Sequence, residues 1–122
     1  MIRRTGPYEG LLHEVVEHNG VLYFGGVVAE DLSLDMAGQA ADVLRQVDHL
    51  LALHGSNRDR VLSAVIFVSN LALKPALNEV WKGYFRPAHL PARAALGVGD
   101  LGPGVLLELV LTAAAGDGKA EP

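Results

Sequence analysis

Between Arg86 and Asp100 the only fixed charge is Arg93, and between Asp100 and Asp117 the only one is Glu108. An ionised side chain within an apolar stretch is costly to desolvate unless a counter-charge or hydrogen bonds compensate, so each of the two needs a partner. A guanidinium in a small, partly dry cavity is suited to bidentate capture of a planar carboxylate, and a nearby Glu can orient or deprotonate a water. An ion pair between the two, formed across a sheet ladder or an interface, would satisfy the same requirement without any chemistry. The residues alone leave both readings open.

Other chemistry-bearing residues are less informative. His13, His18, His49, His54 and His89 have no metal-ligand spacing and read as surface or turn histidines. Ser33, Ser56, Ser63 and Ser69 stand in no nucleophile-elbow context, and the glycines from Gly97 to Gly104 lack the lysine of a phosphate loop. Asn78 is a polar amide beside an apolar helical stripe, at the rim of the core or turned into a cavity. Tyr8, in Gly6-Pro7-Tyr8, can tack down the N-terminus by its ring.

These residues must be positioned by the surrounding elements. Leu11 to Glu17 and Val21 to Val28 flank His18-Asn19-Gly20, and Asn-Gly favours a tight primed turn, so a hairpin is predicted there. Gly25 and Gly26 interrupt its second strand, as at a bulge or a close approach. From about Ser33 to Leu53, Ala40, Val43, Leu44, Val47, Leu50 and Leu51 form the stripe of an amphipathic helix. Ser33 or Asp35 can cap its start and Gly55 can end it. Val61 to Val68 is a continuous apolar run, as in a strand covered on both faces. A second helix starts near Pro75, with Leu77, Val80, Trp81, Tyr84 and Phe85 at helical spacing. Ala92 to Val98 and Val105 to Ala113 complete the strands, and Gly102-Pro103-Gly104 between them suggests that they are sheet neighbours.

The order strand, strand, helix, strand, helix, strand, strand implies an α+β fold, a mixed sheet with two helices on one face. Its other face then needs cover, and self-association would supply it. The 122 residues are expected to form one domain, with 1–5 and 114–122 as frayed termini.

Composition narrows the function classes. Half of the residues are hydrophobic, 20% are charged, and the mean hydropathy is +0.25. Ten basic residues against 14 acidic ones give a net charge of -4, and the basic residues form no stripe, so no nucleic acid is expected as a partner. With no cysteine, disulfide scaffolds, thiolate metal sites and cysteine nucleophiles are excluded. No apolar run approaches the roughly 18 residues of a membrane span, and the N-terminus lacks an apolar leader segment. The expected location is the cytoplasm.

From Gly6 to Ala113 the chain resembles the RidA/YjgF family of reactive-intermediate (enamine and imine) deaminases. The residues that carry the resemblance are Gly6-Pro7-Tyr8, Asn78-Glu79-Val80-Trp81 with Tyr84-Phe85, Pro91-Ala92-Arg93-Ala94, and Leu107-Glu108-Leu109. The specific part is Pro-Ala-Arg followed some fifteen residues later by an apolar-Glu pair.

The resemblance implies a chorismate-mutase-like fold assembled as a homotrimer around a central barrel, with active sites in clefts between subunits. It implies that Arg93 grips the carboxylate of a 2-imino acid and that Glu108 positions the attacking water, yielding a 2-oxo acid and ammonia with no cofactor. Tyr8 and Asn78 match cleft-lining residues. The chain departs from the family in having Gly25-Gly26-Val27 in place of Ser-Gly-Gln, and Ala94-Ala95 in place of Ser-Cys. Backbone groups of Gly25 and Ala95 remain able to contact a ligand, and the implied pocket is more apolar and its substrate bulkier than 2-iminopropanoate. The alternative is a trimeric, non-catalytic module that binds small carboxylates or acts as a chaperone.

Overall fold

The computed structural model describes residues 1–116. Six strands, β1 (Ile2–Tyr8), β2 (Leu12–His18), β3 (Val21–Phe24), β4 (Val61–Val68), β5 (Ala92–Gly97) and β6 (Leu107–Ala114), form one sheet in the order β1-β2-β3-β6-β4-β5. All neighbours are antiparallel except β4 and β5. Two helices, α1 (Met36–Leu53) and α2 (Lys74–Tyr84), complete the mixed α+β architecture. No helix among the described residues is long and apolar enough to cross a membrane.

The predicted hairpin is present, and Asn19 and Gly20 both have positive φ, 51° and 77°, as a type I′ turn requires. Its second strand ends at Phe24 rather than Val28, because the Gly25-Gly26 pair breaks the pleat. Pairing resumes only as a bridge between Val27 and Leu109. Asp35, not Ser33, caps α1, its carboxylate accepting from the Gly38 N–H at 2.9 Å, while Ser33 is engaged by Asp31. After the His54 C-cap, Gly55 takes the left-handed φ of +67° expected of a C′ glycine.

Every residue of the predicted α1 stripe is buried, each large aliphatic one contributing about 1.5–3 kcal/mol. The stripe packs with Leu77 and Trp81 of α2 over Ile66, Leu107 and Leu109 of the sheet. The helices thus cover one face. On the other, Val65, Phe67 and Val110 are half-buried, and Tyr23 and Leu96 are exposed.

Several expectations are corrected. Residues 2–5 are not frayed; they belong to β1, paired from Ile2 opposite His18 to Tyr8 opposite Leu12. Ala114 is part of β6, and the rest of the expected tail beyond Gly116 lies outside the described residues. The Gly102-Pro103-Gly104 connection does not join sheet neighbours, since β4 lies between β5 and β6. His54 is in the turn that closes α1, but it is not on the surface. Its side chain is fully buried, with Nδ1 3.0 Å from Glu17 Oε1.

Candidate active site

Arg93 lies on β5, an edge strand, opposite Ala64, while Glu108 lies on β6 opposite Phe67. Ala64 is buried under the helices and Phe67 belongs to the uncovered face, so the two charges project to opposite sides of the sheet. No salt bridge joins them among the described residues. Within one protomer the private ion pair is therefore excluded, by parity as well as by strand order.

Arg93 is held from the helix side. Its Nη2 donates to Asn78 Oδ1 at 2.6 Å, and its guanidinium carbon is 5.1 Å from the centroid of the Trp81 ring. Burial holds its pKa below the ordinary guanidinium value. It stays charged all the same, because an arginine does not deprotonate in a protein. Asn78 fixes one arm of the fork, and no carboxylate among the described residues occupies the remainder. Ala95 follows two residues later on the same face of β5 and packs against the core edge. The Val98 N–H donates to the Val68 carbonyl at 2.9 Å. By alternation, the backbone N–H and C=O of Arg93 and Ala95 face away from β4, toward the open edge of the sheet.

Glu108 has a different seat. Gly26 lies against its carboxylate so closely that a Cβ there would stand 2.9 Å from Glu108 Cδ, and a side chain at position 26 would displace the acid. The double glycine is therefore a close approach and not merely a bulge.

Gly25 and Gly26 also line a cleft of about 480 Å³ with Tyr8, Leu12, Glu14, Gln46 and Leu50 among its walls. Gly25 donates its N–H to the Glu14 carbonyl at 2.9 Å, which anchors this wall to β2. The second cavity, about 290 Å³ between α1 and α2, is lined by Asp48, Arg58 and Tyr84. Those three already satisfy one another: Tyr84 Oη donates to Asp48 at 2.5 Å, and Arg58 donates to Asp48 at 2.7 Å and to the Tyr84 carbonyl at 2.9 Å.

The site residues singled out in the sequence therefore fall into two groups. Arg93, Asn78 and Ala95 meet at the β5 edge, whereas Tyr8 and Gly25 line the cleft, and Glu108, which is not among its walls, lies against one of them, Gly26. Since β1 and β5 are the two edges, five ladder spacings or about 24 Å separate Tyr8's strand from Arg93's. Sequence reasoning left Trp81 in the core stripe and missed Glu14 and Gln46. The only signal for the seat of Glu108 was the Gly-Gly pair. No group of metal-ligating side chains occurs among the described residues.

The Endoribonuclease L-PSP family model matches residues 2–115. The chain is 35% identical over 101 residues to the RutC family protein YoaB of Escherichia coli K12, covering 83% of this chain and 88% of that protein. It is 31% identical over 101 residues to a protein of Acinetobacter baylyi named 3-aminoacrylate deaminase RutC, covering 78% and 79% of the two chains. Among solved structures, NMB1025 of Neisseria meningitidis, described as a member of the YjgF protein family, superimposes with a TM-score of 0.88. Its identity is 33%, over 96% of this chain and 97% of that one.

Proposed function

The chain belongs to the Endoribonuclease L-PSP (YjgF/RidA) family, and from that premise we propose that it hydrolyses reactive 2-imino or enamine acids to 2-oxo acids and ammonia. The site is shared between subunits of a homotrimer. The observation that carries this reading is the separation of the site residues within one protomer: Arg93, Asn78 and Ala95 meet on the helix side at the β5 edge, whereas Tyr8 is on the opposite edge strand and Glu108 projects from interior strand β6 to the other face. A guanidinium with free donors at the β5 edge of one protomer completes a site when it faces, on another, the Tyr8 and Gly25 cleft and the Glu108 carboxylate beside Gly26. The uncovered face, with Tyr23, Val65, Phe67 and Val110, supplies apolar surface for such an assembly.

In this arrangement Arg93 takes the substrate carboxylate on its fork, while Asn78 keeps the fork from rotating. The outward N–H of Ala95 is available to a second carboxylate oxygen. Glu108 accepts a hydrogen bond from a water and aims it at the C=N carbon. As the C–O bond forms, the carboxylate takes a proton from that water and passes it to nitrogen. The carbinolamine, now protonated on nitrogen, then collapses: the C–N bond breaks, the hydroxyl gives up its proton to the departing ammonia as the C=O forms, and iminium plus water have become 2-oxo acid plus ammonium. An iminium carbon is already electrophilic, so orientation in a restricted site provides most of what the reaction needs.

Imines generated from several amino acids, with ammonia release or semicarbazide trapping as readout, test the reading. Arg93→Ala lowers kcat/KM by about a hundredfold, the loss of a charged, bidentate contact. Equal rates for wild type and variant would sink it. A second reading is favoured by the absent hydroxyl and thiol at Gly25 and Ala95: the trimer binds small carboxylates without turning them over. Saturable binding of a 2-oxo acid with no deamination of any imine selects that reading.

A further inference from the structure

The cleft beside Gly25 holds more than the reacting end of a substrate. At about 30 Å³ for each water-sized atom, the roughly six non-hydrogen atoms of 2-iminopropanoate fill about 180 Å³. The cleft measures about 480 Å³. Among the described residues its walls carry Glu14 and Glu30 and no lysine, arginine or histidine. Glu30 has a cation of its own, Arg45 at 3.7 Å, whereas Glu14 has none among the described residues.

Glu14 is also placed with some care. Gly6, with φ +70°, lies beneath its carboxylate, and a Cβ at that position would come within 3.0 Å of Glu14 Cδ. Its main-chain carbonyl holds the Gly25 N–H. A carboxylate without a counter-ion among the described residues thus belongs to the same lining as Gly25 and Gly26, which also includes the apolar side chains of Leu12 and Leu50.

We propose that Glu14 is a specificity-determining residue of this cleft, which holds the positively charged far end, an amine or guanidinium, of a 2-imino acid derived from a basic amino acid. The inference rests on the deaminase reading above for the identity of the reacting end. An arginine-derived imine has about twelve non-hydrogen atoms and fills about 360 Å³ on the same scale, within the cleft's volume. Its methylene stem lies along Leu12 and Leu50 while its charged head meets Glu14. An imine bearing a second carboxylate is repelled from the same wall.

The test compares kcat/KM for imines generated from arginine, leucine and glutamate by an amino-acid oxidase. Wild type favours the arginine imine over the leucine imine by about fivefold, the scale of a partly exposed charge pair. Glu14→Gln brings that ratio to about one, and Glu14→Lys shifts the preference toward the glutamate imine. Glu14 is exposed and makes no ion pair among the described residues, so these substitutions probe selectivity without threatening the fold. A wild type without the preference, or a ratio that Glu14→Gln leaves in place, overturns the proposal. If wild type turns over no imine, it is the deaminase reading that fails. Calorimetric binding of 2-oxo-5-guanidinopentanoate against 4-methyl-2-oxopentanoate then decides on Glu14: a preference for the first that Glu14→Gln abolishes supports its role, and equal binding overturns it.

Discussion

The two faces of the sheet treat their single charges in opposite ways. On the helix side Arg93 is received by an amide and an indole from α2, which recover part of its desolvation cost and leave most of the guanidinium fork unspent. On the uncovered side Glu108 is received by an absence of atoms, the missing side chain of Gly26. The first seat is a set of positive contacts and tolerates gradual change. The second is a steric allowance that any Cβ removes. In the proposed reaction, the charge assigned to the substrate carboxylate is fixed by contacts, and the one assigned to the water is given room.

The sharpest break of this contrast is at Glu108. Glu108→Gln keeps the size of the side chain and removes the base, and kcat is expected to fall by about a hundred- to ten-thousandfold with KM little moved. A drop confined to KM would instead place Glu108 with Arg93 in substrate binding. Next come the two faces themselves. Ile66→Ala, beneath the helices, is expected to cost about 2–5 kcal/mol in denaturant unfolding. Phe67→Asp, one residue on and on the other face, is expected to break up the proposed trimer in sedimentation while helical circular dichroism persists. If both behave alike, the faces are not distinct in function.

Smaller effects sharpen the helix side. Asn78→Ala frees the Arg93 fork, with an expected rise in KM equivalent to about 1 kcal/mol and little change in kcat. Tyr84 gives a pH signature remote from the site. Burial first, and then its hydrogen bond to Asp48, push its pKa well above the ordinary 10.0. A group whose folded pKa is raised contributes stability that is complete below its unfolded pKa and is lost as pH rises beyond it. The melting temperature should therefore decline from about pH 10 upward, and Tyr84→Phe should flatten that decline at a cost of about 1 kcal/mol at neutral pH.

Much of this architecture was readable in advance, for reasons that are local. Asn19-Gly20 specifies a turn through backbone sterics, and the α1 stripe specifies a helix through periodicity, so both appear where expected. β1 was not readable. Ile2, Arg3 and Arg4 are exposed, and Gly6 and Pro7 are poor strand formers, so its stability comes from the ladder to β2 rather than from any side-chain pattern. His54 failed for a similar reason, since its burial depends on Glu17 from a distant strand.

The sequence by itself determined that Arg93 and Glu108 were anomalous, because the cost of a lone charge in an apolar stretch depends only on what surrounds it along the chain. It could not decide whether they meet. That depends on β6 inserting between β3 and β4, and on the parity of two registers, a one-residue difference that turns a side chain from one face of a sheet to the other. Only the tertiary structure placed the guanidinium at one edge, the carboxylate over Gly26, and Tyr8 on the strand farthest from Arg93.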